Sequence, residues 1–333
     1  MKSPKLSIII PVYNVEEYIG RCLDSIYNQG IDESFYETII VNDGTLDNSV
    51  SVIEPYVDKY INCRLVNQMN QGLSMARNNG FEHANGDYVW FVDSDDWLAE
   101  RSINIVLEYI SEGRYNLIAS NLIYSYDDES NNYIERKTDN DVIITAADYM
   151  LNYCIGASQR YIINRDLMIK NNLRFYPGIL HEDGEFGPRL LCAAGRVLLT
   201  HHILYKYYQR GEGSIMGSWK LRNTQNSLIV YQRDIELLQN IEDKQLKDSV
   251  EYGALAVLLF AFPRCHVKNI AEIEELYQHY KCKIRKISWR LIFSTIPFKK
   301  KMRVAISFVN PMLWLCINDW LNRKNMINNR ILK

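Results

Sequence analysis

Residues 88–97 read Tyr88-Val89-Trp90-Phe91-Val92-Asp93-Ser94-Asp95-Asp96-Trp97, five apolar residues running straight into three carboxylates. A strand with one wet face alternates apolar and polar side chains. This run does not alternate, so it reads as a strand covered on both faces, with its polar chemistry gathered at the carboxyl end. Ser7-Ile8-Ile9-Ile10 has the same character. Working outward, strand patterns fall at 6–11, 36–42, 64–67, 88–92 and 116–126, and helical patterns at 16–28, 47–60, 73–84 and 101–112. Strands alternating with helices of this length form βαβ units. The expected fold class is therefore α/β, a mostly parallel sheet flanked by helices. In such sheets ligands bind beyond the carboxyl ends of the strands.

The rest of the chain bounds the problem. Its 333 residues suffice for one large domain or two ordinary ones, and 47% apolar content supports a sizeable core. Residues 127–140 are polar and turn-like, 145–210 mix short helices and strands, and helical periodicity dominates from 220 (Leu228, Tyr231, Ile235, Leu238). Cysteines at 22, 63, 154, 192, 265, 282 and 316 form no C-x-x-C pair and are odd in number. That speaks against a zinc site or a secreted disulfide framework and for reduced thiols in a cytoplasm. The apolar run at 6–12 is too short for a signal-peptide core, and no stretch approaches the ~20 apolar residues of a spanning helix.

Four strand ends carry polar clusters. They are Pro11-Val12-Tyr13-Asn14 with Glu16, then Val41-Asn42-Asp43-Gly44-Thr45, then Asn70-Gln71-Gly72 leading to Ala76-Arg77-Asn78, and finally Asp93-Ser94-Asp95-Asp96. A lone D-x-D arises often by chance; four such motifs in order, each at a strand end, are specific. The ordered series over 6–100, continuing more weakly to about 215, resembles the inverting family 2 glycosyltransferases of bacterial capsule, exopolysaccharide and O-antigen assembly. The resemblance implies a Rossmann-like GT-A catalytic domain over 1–215, with a donor half to about 125 and an acceptor half beyond it. A mainly helical, basic region then occupies 216–333.

It also implies roles. The donor, a nucleoside-diphosphate sugar with UDP favoured, would lie against Pro11, Tyr13, Asn14, Glu16, Asp43, Arg77, Asp93 and Arg210. Asp43 would accept the imide N–H of uracil, a donor that cytosine lacks, and could also cap the turn that follows. Relatives usually carry Asp where Asn42 stands, so the neighbouring contact can differ. In an extended segment Asp93 and Asp95 project the same way, which suits a hard divalent ion, Mn²⁺ or Mg²⁺. The resemblance puts Asp95 on the metal and Asp93 on the ribose or a metal water. Asp96 reads as a helix cap, and Gly72 and Gly80 as serving a turn and close helix packing.

On the acceptor side, His181-Glu182-Asp183-Gly184-Glu185 resembles the E-D element of the family. Asp183 takes the part of general base, Glu182 and His181 orient it or touch the acceptor, and Glu185 is an alternative base. Tyr205-Lys206-Tyr207-Tyr208-Gln209-Arg210-Gly211-Glu212-Gly213-Ser214-Ile215 resembles a segment in which Arg and Gly-Ser close over the diphosphate, and the guanidinium fork of Arg210 is suited to that. His201 and His202 could ligate a metal but read better as core or surface histidines.

Charge is uneven. Residues 276–333 hold thirteen Lys and Arg against one acid, Asp319. Nine of the cations fall in 281–303 among Trp289, Ile292, Phe293 and Phe298, and 304–317 is largely apolar, with Phe308, Trp314 and a break at Pro311. A basic amphipathic tail of this kind suits an anionic membrane surface, a lipid-linked acceptor and a peripheral enzyme on the inner leaflet; packing on the core is the other use. No nucleic-acid motif accompanies the charge. Three rival functions fit the residues less well. A scaffold that binds nucleotide sugar without catalysis would have lost Asp95 or Asp183. A nucleotidyltransferase would carry a Gly-rich loop after its first strand. A processive synthase would need spanning helices.

Overall fold

In the computed structural model, residues 3–135, 138–153, 155–210, 221–262, 271–310 and 313 are described. The elements are β1 (Leu6–Val12), α1 (Ile19–Tyr27), β2 (Tyr36–Asn42), α2 (Ser49–Lys59), β3 (Cys63–Asn67), α3 (Leu73–Glu82), β4 (Tyr88–Phe91), β5 (Trp97–Leu98) and α4 (Ser102–Ser111). There follow β6 (Leu117–Ser125), β7 (Tyr133–Glu135), β8 (Val142–Thr145), α5 (Ala146–Asn152), β9 (Tyr161–Asn164), α6 (Arg165–Lys170), α7 (Glu182–Ala194) and β10 (Arg196–Tyr208). Helices α8 (Leu221–Leu237), α9 (Lys244–Phe260), α10 (Ala271–Ile292) and α11 (Phe298–Val309) follow among the described residues.

One sheet runs β3-β2-β1-β4-β9-β6-β10-β5, with β7 on β6 and β8 on β10. Strands β3, β2, β1 and β4 are mutually parallel, as the βαβ alternation requires. Strand β9 inserts antiparallel between β4 and β6, so β6 and its parallel neighbour β10 again point the way β1 does. The carboxyl ends of β1, β2, β3, β4, β6 and β10 therefore share one edge.

All seven residues of β1 are buried, which is why it shows no alternation. Ile8 and Ile10 pack with Ile19, Leu23, Ile26, Ile53, Ile103 and Val106 on one face of the sheet. Ile9 packs with Ala76, Phe81, Tyr149, Phe186 and Leu190 on the other. A third apolar cluster joins α8 to α11, and Leu238, Ile241 and Val250 carry the helical region onto the second face of the sheet. Gly72 adopts φ +85° at the start of α3, and a Cβ on Gly80 would stand 2.3 Å from Ile9 Cγ2, so one glycine serves the turn and the other the close approach of α3 to β1. Cys22, Cys63, Cys192 and Cys282 are free thiols. Among the described residues no helix is long and apolar enough to cross a membrane.

Candidate active site

The first two strand ends are clasped together. Asn14, at φ 52°, accepts from Leu46 N (3.1 Å) through its side chain, and its own N–H donates to Thr45 Oγ1 (2.8 Å). Glu16 accepts from Asn48 N (2.8 Å), while Glu16 N donates to Asp47 (2.9 Å). Burial opposes charge on Asp47, but hydrogen bonds from Ser49, Thr45 and Glu16 N hold its carboxyl down at about 2. Tyr13 stands exposed at the rim. Asp43 is buried and accepts from Gln68 Nε2 (2.7 Å), Gln71 N (2.8 Å) and Gly72 N (2.8 Å). It thus pins the turn after β3 against β2. A carboxylate has about four acceptor sites, so further acceptor capacity remains.

The fourth strand end is the centre. Arg77, on α3, is wholly buried and forks between Asp93 Oδ1 (2.6 Å) and Glu182 Oε1 (2.7 Å), with its guanidinium 5.0 Å over the Phe175 ring. Burial works against the Arg77 charge, and the carboxylates of Asp93 and Glu182 more than restore it. Gln159 Nε2 donates to the other oxygen of Asp93, and Asp93 N donates to Tyr205 Oη (3.0 Å). Asp95 faces Arg210, whose Nε lies 2.7 Å from its carboxylate, and Arg210 in turn lies 4.4 Å over Tyr18. Arg21 stacks between Trp97 and Tyr208 and donates to the Asp95 carbonyl (3.1 Å). Burial, then the charge of Asp93, raises the Asp95 carboxyl.

Asp96 departs from the expected helix cap. The next helix, α4, begins at Ser102 with no side-chain cap. Asp96 is instead buried and accepts from Tyr205 Oη (2.7 Å) and Tyr208 N (2.7 Å), which lashes the carboxylate loop to β10. A register shift in β10 between Leu199 and Tyr205 precedes these contacts, the kind of irregularity that re-aims side chains beside a site.

Asp183 lies in the first turn of α7, after His181 at φ 64°. Its carboxylate accepts from Gly184 N (2.8 Å), and Gly156 faces it so closely that a Cβ there would lie 3.4 Å from Asp183 Oδ2. Burial raises the Asp183 carboxyl, against the pull of Arg77. Burial lowers the His181 imidazole. Glu185, the alternative base, is buried with both oxygens taken: Arg189 Nε (2.8 Å) and Arg233 Nε (2.6 Å) donate to Oε1, and Arg189 Nη2 donates to Oε2. His201 pairs with Asp141 (2.7 Å) and stacks on His202. Gly211 to Ile215, Pro311 and Trp314 lie outside the described residues. Gln159 and Arg21 carry no sequence signal, and the motif that begins at Tyr205 does not announce its contacts with Asp93 and Asp96, because each residue reaches the carboxylates from a distant part of the chain.

Among the described residues no group of three or more His, Cys, Asp or Glu side chains is arranged to enclose a metal. The donor chemistry still fits a hard divalent ion held in part by substrate oxygens. Asp95 offers carboxylate oxygens in a place where burial, and then the charge of Asp93, raises its carboxyl, a tension that a cation relieves.

Carboxylates at the strand ends of the sheet thus face the acidic start of α7 across Arg77. The chain belongs to glycosyl transferase family 2, whose model matches residues 7–178. It is 32% identical over 215 residues to the uncharacterized glycosyltransferase YibD of Escherichia coli, covering 61% of each chain. Its fold matches S. aureus TarS residues 1–349 in complex with UDP-GlcNAc at TM-score 0.71 and 17% identity, covering 96% of this chain and 92% of that one. It also matches the mannosyltransferase PcManGT of Pyrobaculum calidifontis, in complex with GDP-Man and Mn²⁺, at TM-score 0.54 and 13% identity, covering 96% and 88%.

Proposed function

We propose that this protein transfers a sugar from a UDP-sugar donor to a hydroxyl of a polysaccharide or lipid-linked glycan precursor, with inversion. Residues 1–215 would form the catalytic unit. The observation that carries the reading is Arg77, which ties a carboxylate of the D-x-D strand end to the E-D helix and so brings Asp93 and Asp183 to one place. The TarS and PcManGT complexes, with UDP-GlcNAc and with GDP-Man and Mn²⁺, support a nucleotide-sugar donor on this fold.

In this reading Pro11, Tyr13, Asn14 and Glu16 shape the nucleotide rim, and Asp43 accepts from the base. Asp93 faces the ribose. Arg210 turns from Asp95 to the diphosphate, to which its planar fork is matched. Asp95, with Asp93, would hold Mn²⁺ or Mg²⁺, which when bound supplies Lewis-acid stabilisation of the diphosphate leaving group. Asp183 takes the proton of the acceptor hydroxyl as that oxygen attacks the anomeric carbon and the bond to the diphosphate breaks. A carboxyl raised by burial is a better base near neutral pH than an exposed one. Glu182, neutralised by Arg77, and His181 set the position of Asp183 at the start of α7.

The test is calorimetric titration of UDP with and without Mn²⁺. Binding that needs the metal, and is lost in Asp95→Ala, is expected. GDP binding in place of UDP would overturn the base assignment, and no nucleotide binding at all would leave a scaffold.

A further inference from the structure

The basic segment that the transferase site does not use folds as a hairpin of α10 and α11. Its inner seam is apolar, with Ile284, Ile287, Leu291, Ile296 and Val304 buried in one cluster. A hydrogen bond between Ser288 and Ser307 (3.0 Å) crosses the same seam. The outer face is apolar too. Trp289, Phe293, Phe298, Met302 and Val309 are 54%, 68%, 75%, 56% and 76% exposed. They are not scattered. Trp289 packs on Phe293 (5.0 Å) and on Phe308 (5.8 Å), and Phe298, Met302 and Val309 recur at the spacing of one helix face. Exposed aromatic and aliphatic side chains grouped in this way on a folded surface mark an interaction site.

The charges around it are of one sign. Lys283, Arg285 and Lys286 are exposed on α10 and Lys299 on α11, with Lys301 and Arg303 partly so. No acid occurs between Glu275 and Asp319. Arg290 is the one cation of the hairpin with a carboxylate partner among the described residues, Glu251. Lys300 lies 5.4 Å over the Tyr252 ring, and burial and then Arg303 push its ammonium down to about 8.

We infer that the outer face of the α10–α11 hairpin docks on an anionic lipid surface. Phe293 and Phe298, at the turn between the helices, enter the acyl boundary, and the lysines on either side meet the headgroups. Charge complementarity selects this occupant: exposed aromatic and aliphatic side chains rimmed by uncompensated lysines match an interface of acyl chains beneath anionic headgroups. Met302 and Val309 offer no stacking surface to a nucleic acid. The inference stands apart from the donor chemistry, because vesicle binding needs neither nucleotide nor acceptor.

The experiment is co-sedimentation of the full chain with phosphatidylcholine vesicles, with and without phosphatidylglycerol. Binding is expected only with phosphatidylglycerol, weakening as salt rises. Phe293→Ser/Phe298→Ser and, separately, Lys299→Glu/Lys301→Glu should each weaken it by about tenfold or more while UDP binding and the melting temperature stay as in the parent. Because Phe293, Phe298 and Lys299 are exposed and Lys301 is partly so, folding should survive both changes. Equal binding to both vesicle types, no binding to either, or unchanged binding in the phenylalanine variant would overturn the inference. So would a concentration-dependent dimer in light scattering that the phenylalanine variant abolishes, since the face would then belong to a second copy.

Discussion

Asp183 and Glu185 stand two residues apart on one helix, and their surroundings separate them. Glu185 is buried beneath two guanidinia, Arg189 and Arg233. Asp183 accepts from Gly184 N, has no guanidinium hydrogen-bonded to it among the described residues, and is raised by burial. A raised base works only above its own pKa, so the acid limb of kcat/KM should lie above the ordinary carboxylate value of about 4 and activity should fall as pH drops through it. Asp183→Asn should remove that limb, cut transfer by about 10²–10⁴-fold and leave UDP affinity unchanged. Donor binding by calorimetry beside a transfer assay separates the two effects. Persistent transfer would place the base elsewhere. The same scale shows where sequence reading stops. Asp93, Asp95, Arg77 and Asp183 are legible because each belongs to a local motif. Gln159 and Tyr205 reach Asp93 across 66 and 112 residues of chain, and no local pattern announces such a contact. Asp96 shows the opposite error: its position before a helix suggested a cap, but β10 offered it two donors in a buried place where an unpaired carboxylate would be costly.

Helix α3 connects residue chemistry to packing. It carries Arg77 and reaches β1 only because residue 80 has no side chain. In Gly80→Ala the new Cβ would stand 2.3 Å from Ile9 Cγ2 and 3.1 Å from Val41 Cγ2, both in rigid β-branched side chains of the sheet. The helix must move outward, at a cost of about 1–3 kcal/mol. Arg77 would move with it, so UDP affinity should weaken along with stability. Urea melts and a UDP titration of the same variant check the two consequences; unchanged stability would mean that α3 has room to spare. The main strands and helices over residues 6–126 were readable to within a few residues, because burial on both faces makes strands such as β1 and β4 continuously apolar. The antiparallel entry of β9 between β4 and β6 was not readable, since a four-residue strand has the same composition in either direction.

At the scale of the whole molecule, the helical region is bound to the sheet domain through charged groups as well as apolar ones. Arg233 of α8 reaches Glu185 on α7, and Asp234 beside it is buried. Burial, then the charge of Glu185, raises Asp234 well above an ordinary carboxyl. A folded pKa above the unfolded one means that stability is fully present at acid pH and is lost as pH rises through the folded value. Asp234→Asn should therefore match the parent near pH 3, below the unfolded carboxylate value of about 4, and exceed it by about 1–3 kcal/mol near pH 8. Denaturant melts at the two pH values measure this, and a gap that does not widen would acquit Asp234. The sequence alone determined the class of fold, the edge of the sheet that bears chemistry and the acidic residues gathered there, because runs of apolar residues and strand-end motifs are local properties of the chain. Only the tertiary structure decided which carboxylates are joined through Arg77, which one Tyr205 and Tyr208 hold, and which aromatic residues of the basic hairpin face outward. Those outcomes depend on contacts between residues far apart in the chain, and burial, which sets both their charge and their exposure, exists only once the chain has folded.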